Sequence, residues 1–419
     1  MKNKFPFPLS FLTVSLFYWI SAPSSVAAPF VSIGDNTDIY FNGSSSLRWA
    51  SNIFRNEEDE ESDLSWTISP GLEINIGRGI SNADFTVITR YDIVRYEEYD
   101  RLDTELFHIE ALGTYESSRL NLNGSASFDE IKMNDGQKNV VNDLVELDTT
   151  AGELDAEYRV SPKFSFSVGV RYDETEYRTF KNLFSDRATT AYPLSVYYDM
   201  TPKLDLILGY TYSTTDITGG NSFGGLFDPV SSYEQDTDFF NIGLRGNIST
   251  KLTGFFKIGY RTVSAGDTNL TNAGVLVDRI ERNDRDMFGL DASLTWMATS
   301  KLLYQLALSR DYNTGGLGEA TEVTRANLVG NYSFNTHWSG MANLGYTDTD
   351  SYYLSRENEQ FTGGLRIMYV LNTYWRFTAG YTYAENDSNQ VNSSYESETL
   401  DLTATLRYWY SATFPLIIG

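Results

Sequence analysis

Proton-transfer and metal chemistry have little to draw on in this chain, which holds two histidines and no cysteine in 419 residues. A hydrolase built on a nucleophile needs a histidine within reach of a serine or carboxylate and a third group to orient it. His108 lies near Glu110 on the polar parity of an alternating segment, and no second motif completes such a set. It is read as a structural histidine. His337 occupies a turn position that lysine takes elsewhere. Metal clusters of Cys and His cannot be assembled from this inventory. No catalytic, cofactor-binding or metal residue is assigned, and the chain reads as a non-enzyme, with a hydrolase using His108 as a remote alternative.

Two loops carry weaker signals. Glu57-Glu58-Asp59-Glu60-Glu61-Ser62-Asp63 is a run of acids. It reads first as a solvated surface loop, and second as a Ca²⁺ site or a screen against anions; no Asp-x-Asp-x-Asp-Gly spacing supports the metal. Gly219-Gly220 and Gly224-Gly225 bracket Phe223. That segment reads as a loop that either folds inward as a constriction or covers a rim; it lacks the strand–loop–helix context of a phosphate cradle.

The richer signal is charge at alternating positions. Arg48, Glu73, Arg90, Asp155, Glu157, Arg159, Arg171, Asp205, Arg245, Asp291, Arg366, Arg376, Asp401 and Arg407 all fall on the parity opposite to apolar residues. Alternation with period two marks a strand with one apolar and one polar face. Charges of both signs on such strands belong in water or in a paired network. The eight arginines either form a ladder that guides an anionic or sugar solute, or pair with the carboxylates and stiffen the structure. Both readings stay open at this level.

The elements that would position these side chains repeat. Ser161-Pro162-Lys163, Thr201-Pro202-Lys203, Ser249-Thr250-Lys251, Thr299-Ser300-Lys301, Asn335-Thr336-His337 and Asn372-Thr373-Tyr374 each lead into an alternating run rich in Gly and Tyr. A tight turn before a long strand, repeated every 35 to 50 residues or so, describes a string of antiparallel hairpins. The first strand is expected over residues 37–50 and the second over 64–77. Eight short turns with one strand left at each end give about eighteen strands, sixteen being the alternative. Short turns alternate with long polar connections at 53–63, 132–142, 174–187, 214–236, 266–285 and 385–398. The predicted fold is all-β: a transmembrane antiparallel up-and-down β-barrel, closed by its first and last strands so that no edge meets lipid. The short turns would be periplasmic and the long loops extracellular.

Composition agrees. Lys2 and Lys4, the apolar residues 11–20 and Ser25-Val26-Ala27 form a signal peptide expected to end at Ala27. Residues 1–27 are therefore assigned to the signal and 28–419 to one barrel domain. The 29 Tyr and 7 Trp suit a lipid–water interface. The net charge of −24 disfavours nucleic acid as a partner, since phosphate binding needs a basic surface.

Tyr158-Arg159-Val160-Ser161-Pro162-Lys163, Tyr198-Asp199-Met200-Thr201-Pro202-Lys203, residues 166–172 and Leu208-Gly209-Tyr210 resemble the putative β-barrel porin family of the bacterial outer membrane, in the subgroup often associated with exopolysaccharide secretion. The resemblance spans nearly all of the chain after residue 27, and its motifs describe turn and strand. It implies insertion in a Gram-negative outer membrane, contact with its lipid and lipopolysaccharide, and passage of small solutes or polysaccharide. It brings no cofactor and no catalytic residue. The alternative is a structural or adhesive barrel whose long acidic loops bind partners outside the cell. One departure is Pro415-Leu416-Ile417-Ile418-Gly419, which follows Phe414 where such barrels commonly finish on an aromatic.

Overall fold

The computed structural model describes residues 31–77, 81–133, 143–220, 233–280, 284–316, 320–351 and 356–407. The expected signal segment and the residues from 408 onward, including Phe414 and the tail after it, lie outside the described residues. In chain order the strands are β1 (Val31–Ile33), β2 (Thr37–Ala50), β3 (Asp63–Ile76), β4 (Ala83–Tyr96), β5 (Thr104–Glu116), β6 (Leu120–Met133) and β7 (Val145–Arg159). Next come β8 (Phe164–Tyr177), β9 (Asp186–Thr201), β10 (Leu204–Thr218), β11 (Tyr233–Asn247), β12 (Leu252–Ala265), β13 (Thr268–Asn272) and β14 (Val275–Ile280). The last are β15 (Arg285–Thr299), β16 (Leu302–Thr314), β17 (Ala320–Ser333), β18 (Trp338–Ser351), β19 (Arg356–Val370), β20 (Trp375–Ser388) and β21 (Tyr395–Arg407).

Eighteen of these, all but β1, β13 and β14, pair antiparallel with their neighbours and close where β2 meets β21. Closure leaves no open sheet edge to face lipid. Two elements escaped the sequence reading. β1 folds back on β2 through Ser32 and Asp38, whose side chains share a 2.7 Å hydrogen bond. β13 and β14 make a separate hairpin within what reads as a polar loop. The long connections are also shorter than expected: β8 runs to Tyr177, β10 to Thr218, and β11 starts at Tyr233. Beyond the membrane both faces are wet, so apolar alternation fades while the backbone ladder continues.

The repeated turn motif has a side-chain cause. Ser161 Oγ accepts from the backbone N–H of Lys163 and Phe164 at 3.3 and 3.1 Å. Ser249 does the same for Lys251 and Leu252, and Asn335 for His337 and Trp338. A short polar side chain that bonds its own backbone two residues on pre-forms the turn. Prolines leave local gaps in the ladder. The β3–β4 pairing skips from Ile68 to Gly71 around Pro70, and β8–β9 skips around Pro193. Proline has no N–H to give.

The apolar parity faces out. Leu208 is 53% exposed, Phe240 59% and Leu365 63%. Rows of bare aliphatic side chains on strand after strand need hydrocarbon around them, as on a transmembrane barrel. Toward the long-loop rim the outward face changes to tyrosines tipped by acids. Tyr91 donates to Glu105 at 2.8 Å, Tyr210 to Asp238 at 2.5 Å and Tyr212 to Asp236 at 2.7 Å. Outward carboxylates also face each other across strands above that belt, as in Asp348↔Glu359↔Asp387.

Candidate functional site in the bore

The polar parity turns inward and builds two charged walls. On β7 to β12, Arg245 reaches from β11 across the inner faces of three strands to Glu157 on β7. Arg245 Nη1 and Nη2 donate to the two Glu157 oxygens at 3.0 and 2.9 Å, and Nε donates to Asp205 at 3.2 Å. The guanidinium carbon stands 3.3 Å from the centroid of the Tyr197 ring. Glu157 also accepts from Ser165 Oγ at 2.7 Å, and the Ser167 and Tyr197 hydroxyls meet at 3.2 Å. A bidentate pair this dry, with its spare lone pairs bonded, is a clasp between strands.

Toward the long-loop rim the same wall repeats the theme. Arg171 Nε donates to Glu153 at 2.9 Å and lies 3.9 Å from Asp155. Lys257 sits 3.9 Å from Asp291, and Arg261 2.7 Å from Asp311. The inward rings are covered too: Arg261 lies 4.0 Å over Phe239 and Lys257 5.1 Å from the Phe255 ring.

The other wall, on β19 to β6, is looser. Arg366 stands 3.6 Å from Asp401, and Asp401 faces Arg48 in register. Arg90 pairs with Asp92 at 2.9 Å. His108 is clamped between Asp92 at 3.1 Å and Asp129 at 2.8 Å. Glu73 is buried and accepts from Asn75 at 2.7 Å. Arg376 lies half-buried on the inner parity of β20, and Arg159 ends β7 near the short-turn rim. Arg407 ends β21, and its side chain lies outside the described residues. The structure thus brings Glu157, Arg245 and Asp205 into one cluster, Arg171 and Asp155 into another, and Arg48, Arg366 and Asp401 into a third. Among the described side chains it does not gather the arginines into a single ladder.

Sequence reading missed Lys257, Arg261, Asp92, Asp129 and Tyr197. Parity could have found the first four, because each alternates with an outward residue such as Phe256, Tyr260, Tyr91 or Phe128. The Tyr197 contact depends on wall curvature and has no local signal.

Two apolar caps pack at the long-loop end of the barrel. One packs Phe54, Leu102 and Leu144 with Tyr96 and Tyr99, the Phe54 and Tyr99 rings meeting edge-on at 5.4 Å. Asp63 holds it by accepting the backbone N–H of Glu98 and Tyr99, each at 3.2 Å. A hydrogen bond to Glu61 holds the Tyr99 hydroxyl above its usual range, with desolvation and the Glu61 charge adding to it. Residues 57–60 of the acidic run are exposed beside this cap. Among the described residues no three His, Cys, Asp or Glu side chains converge as a metal site.

The second cap is the β8–β9 connection, residues 178–185. Phe184 is 1% exposed and stacks on Tyr177 at 4.8 Å, against the inward Val145 and Leu147. Phe184 thus brings this segment against inward-facing side chains of β7 and β8. Of the glycine-rich stretch, read as either an inward constriction or a rim cover, Gly219 and Gly220 contact this segment, while residues 221–232 lie outside the described residues.

A family model described as Putative beta-barrel porin 2 matches residues 42–408. No curated protein matches. Among solved structures, OpdK of Pseudomonas aeruginosa, crystallised with vanillate, is 11% identical, with 88% of this chain and 98% of that one covered at a TM-score of 0.42. OccK5 (OpdH) of Pseudomonas aeruginosa is 12% identical, covering 89% and 99% at 0.41. The siderophore receptor PiuA of Acinetobacter baumannii is 9% identical, covering 88% and 82% at 0.44.

Proposed function

The chain belongs to the putative beta-barrel porin 2 family, and on that premise we propose that it is a passive outer-membrane channel for small hydrophilic solutes, favouring cations, rather than an exit for polysaccharide. Barrels of sixteen to eighteen strands are wide enough for an aqueous bore. The observation that carries the solute class is the state of the inward rings. A sugar chain sliding through a pore needs bare aromatic faces to stack on. Here Tyr197, Phe239 and Phe255 each lie under a cation from Arg245, Arg261 or Lys257. Along this wall the surface left for a solute is charged. The preference for cations follows from the β2–β3 loop, where residues 57–60 stand exposed and acidic, since clustered like charge concentrates the opposite ion.

Planar-bilayer recording of the purified, folded protein tests this. Discrete conductance with a reversal potential favouring the cation in a KCl gradient is expected. Neutralising Glu57, Glu58, Asp59 and Glu60 together should move that potential toward zero. A folded protein without conductance removes the channel reading. It would favour the alternative of an adhesive barrel, for which the β13–β14 hairpin, with Val275 66% exposed, offers a contact surface.

A further inference from the structure

Lysine is scarce in this chain and gathers in one place. Of the eight lysines after Lys4, four close a short turn: Lys163, Lys203, Lys251 and Lys301. Their hairpins stand side by side in the sheet, as β7–β8, β9–β10, β11–β12 and β15–β16. At two strands per hairpin, neighbouring lysines are about 10 Å apart. All four are exposed, and residues 160–163, 201–203, 248–251 and 299–301 hold no Asp or Glu. In a chain of 56 acids and 32 bases, this arc of turns carries positive charge alone.

The level of the arc follows from its neighbours. Outward apolar side chains run up to the turns on both sides, Val160 and Phe164 around Lys163, and Met200 before Lys203, all of them exposed. Aromatic rings gather at the same end of the barrel. Trp296 stacks on Tyr304 at 5.5 Å, Tyr332 meets Phe334 at 4.9 Å and Trp338 meets Tyr369 at 4.6 Å. Such rings mark the boundary between hydrocarbon and headgroups. An ammonium on a four-carbon stem at that boundary reaches for the polar layer.

Two of the ammonium groups are held in place. Lys251 Nζ donates to the Ala298 carbonyl at 2.8 Å, and Lys301 Nζ to the Phe334 carbonyl at 3.1 Å, each at the turn end of the next hairpin. An ammonium has three donors, so the bond fixes the charge over a seam between hairpins and leaves donors to spare. Residue type fits the same role. The bore uses arginine for two-pronged carboxylate pairing, as at Arg245. The rim uses lysine, which meets phosphate as a compact point charge.

We propose that this arc is a docking surface for the headgroups of anionic phospholipid, each lysine taking a phosphate. With the short turns periplasmic, the leaflet is the inner one. The proposal goes beyond the channel reading and stands whether or not the bore conducts.

The test places the folded full chain in bilayers of equal parts phosphatidylcholine and phosphatidylglycerol, and native mass spectrometry reads which lipids stay bound. Phosphatidylglycerol is expected in about five-fold excess, the worth of one ammonium beside an anionic surface, and the excess should shrink as salt rises. Changing Lys163, Lys203, Lys251 and Lys301 together to Gln should bring the two lipids to parity, while the same four changed to Arg should keep the excess. Lys163→Gln with Lys203→Gln leaves the Lys251 and Lys301 bonds in place and should still lower the excess, which keeps the test open if the fourfold Gln barrel does not fold. Lys181→Gln, on the opposite rim, should change nothing. Equal retention of both lipids by the wild type overturns the proposal. So does an excess that survives the Gln changes, which would mean that the lysines only tie turn to turn.

Discussion

Arg245→Ala is the substitution that decides between a guiding ladder and a stiffening network. It strips Glu157 of two charge-assisted hydrogen bonds and Asp205 of one. The Glu157 side chain is only 8% exposed, so its charge would be stranded in a dry wall. Breaking one partner out of a buried ion pair costs about 3–5 kcal/mol. The lost stacking on Tyr197, worth about 2 kcal/mol when desolvated, overlaps with that figure because the two contacts share one group. At 1.4 kcal/mol per tenfold, the folding equilibrium falls by roughly one hundred to a few thousand times. Urea titration in lipid vesicles, read by gel mobility of the unheated barrel, measures this. Glu157→Gln with Arg245→Met should recover much of the loss, since no bare charge remains. A cost below about 1 kcal/mol, the range of exposed pairs, refutes the reasoning and means that water reaches the clasp.

Other substitutions probe the walls separately. Leu365→Arg puts a charge at the middle of the outward face and should cost about 2–4 kcal/mol in vesicles; an effect near zero would mean that this face does not meet hydrocarbon. Gly259→Ala drives a Cβ into the Phe240 carbonyl, and should lower stability by about 1–3 kcal/mol in the same titration. Gly345→Ala meets nothing closer than 3.7 Å, and should be neutral or gain up to about 1 kcal/mol from a stiffer unfolded chain. Asp63→Ala removes the acceptor for the Glu98 and Tyr99 amides. About 1–3 kcal/mol should be lost, and hydrogen exchange at those two amides should rise first.

What the sequence disclosed follows from the range of each interaction. β2 occupies the expected residues 37–50, because Ile39, Phe41, Leu47 and Trp49 alternate against polar partners and the parity is local. The turn motif was legible for the same reason, the Ser161 side chain acting on amides two and three residues on. Strand ends were less so. β10 continues to Thr218 through Ser213, Thr214 and Thr215, where no apolar face remains to be read. Arg245 and Glu157 are 88 residues apart and meet only because the sheet curls. Nothing near either residue announces the other.

The tyrosines that tip into carboxylates along the outer face, among them Tyr91, Tyr210 and Tyr212, bear on how the cylinder floats. Each ring tolerates hydrocarbon, while the acid bonded to its hydroxyl must stay hydrated. Sinking by even one residue step would drown a whole circle of anions at once. The protein therefore carries its own waterline, and a thicker or thinner host membrane must deform to meet it.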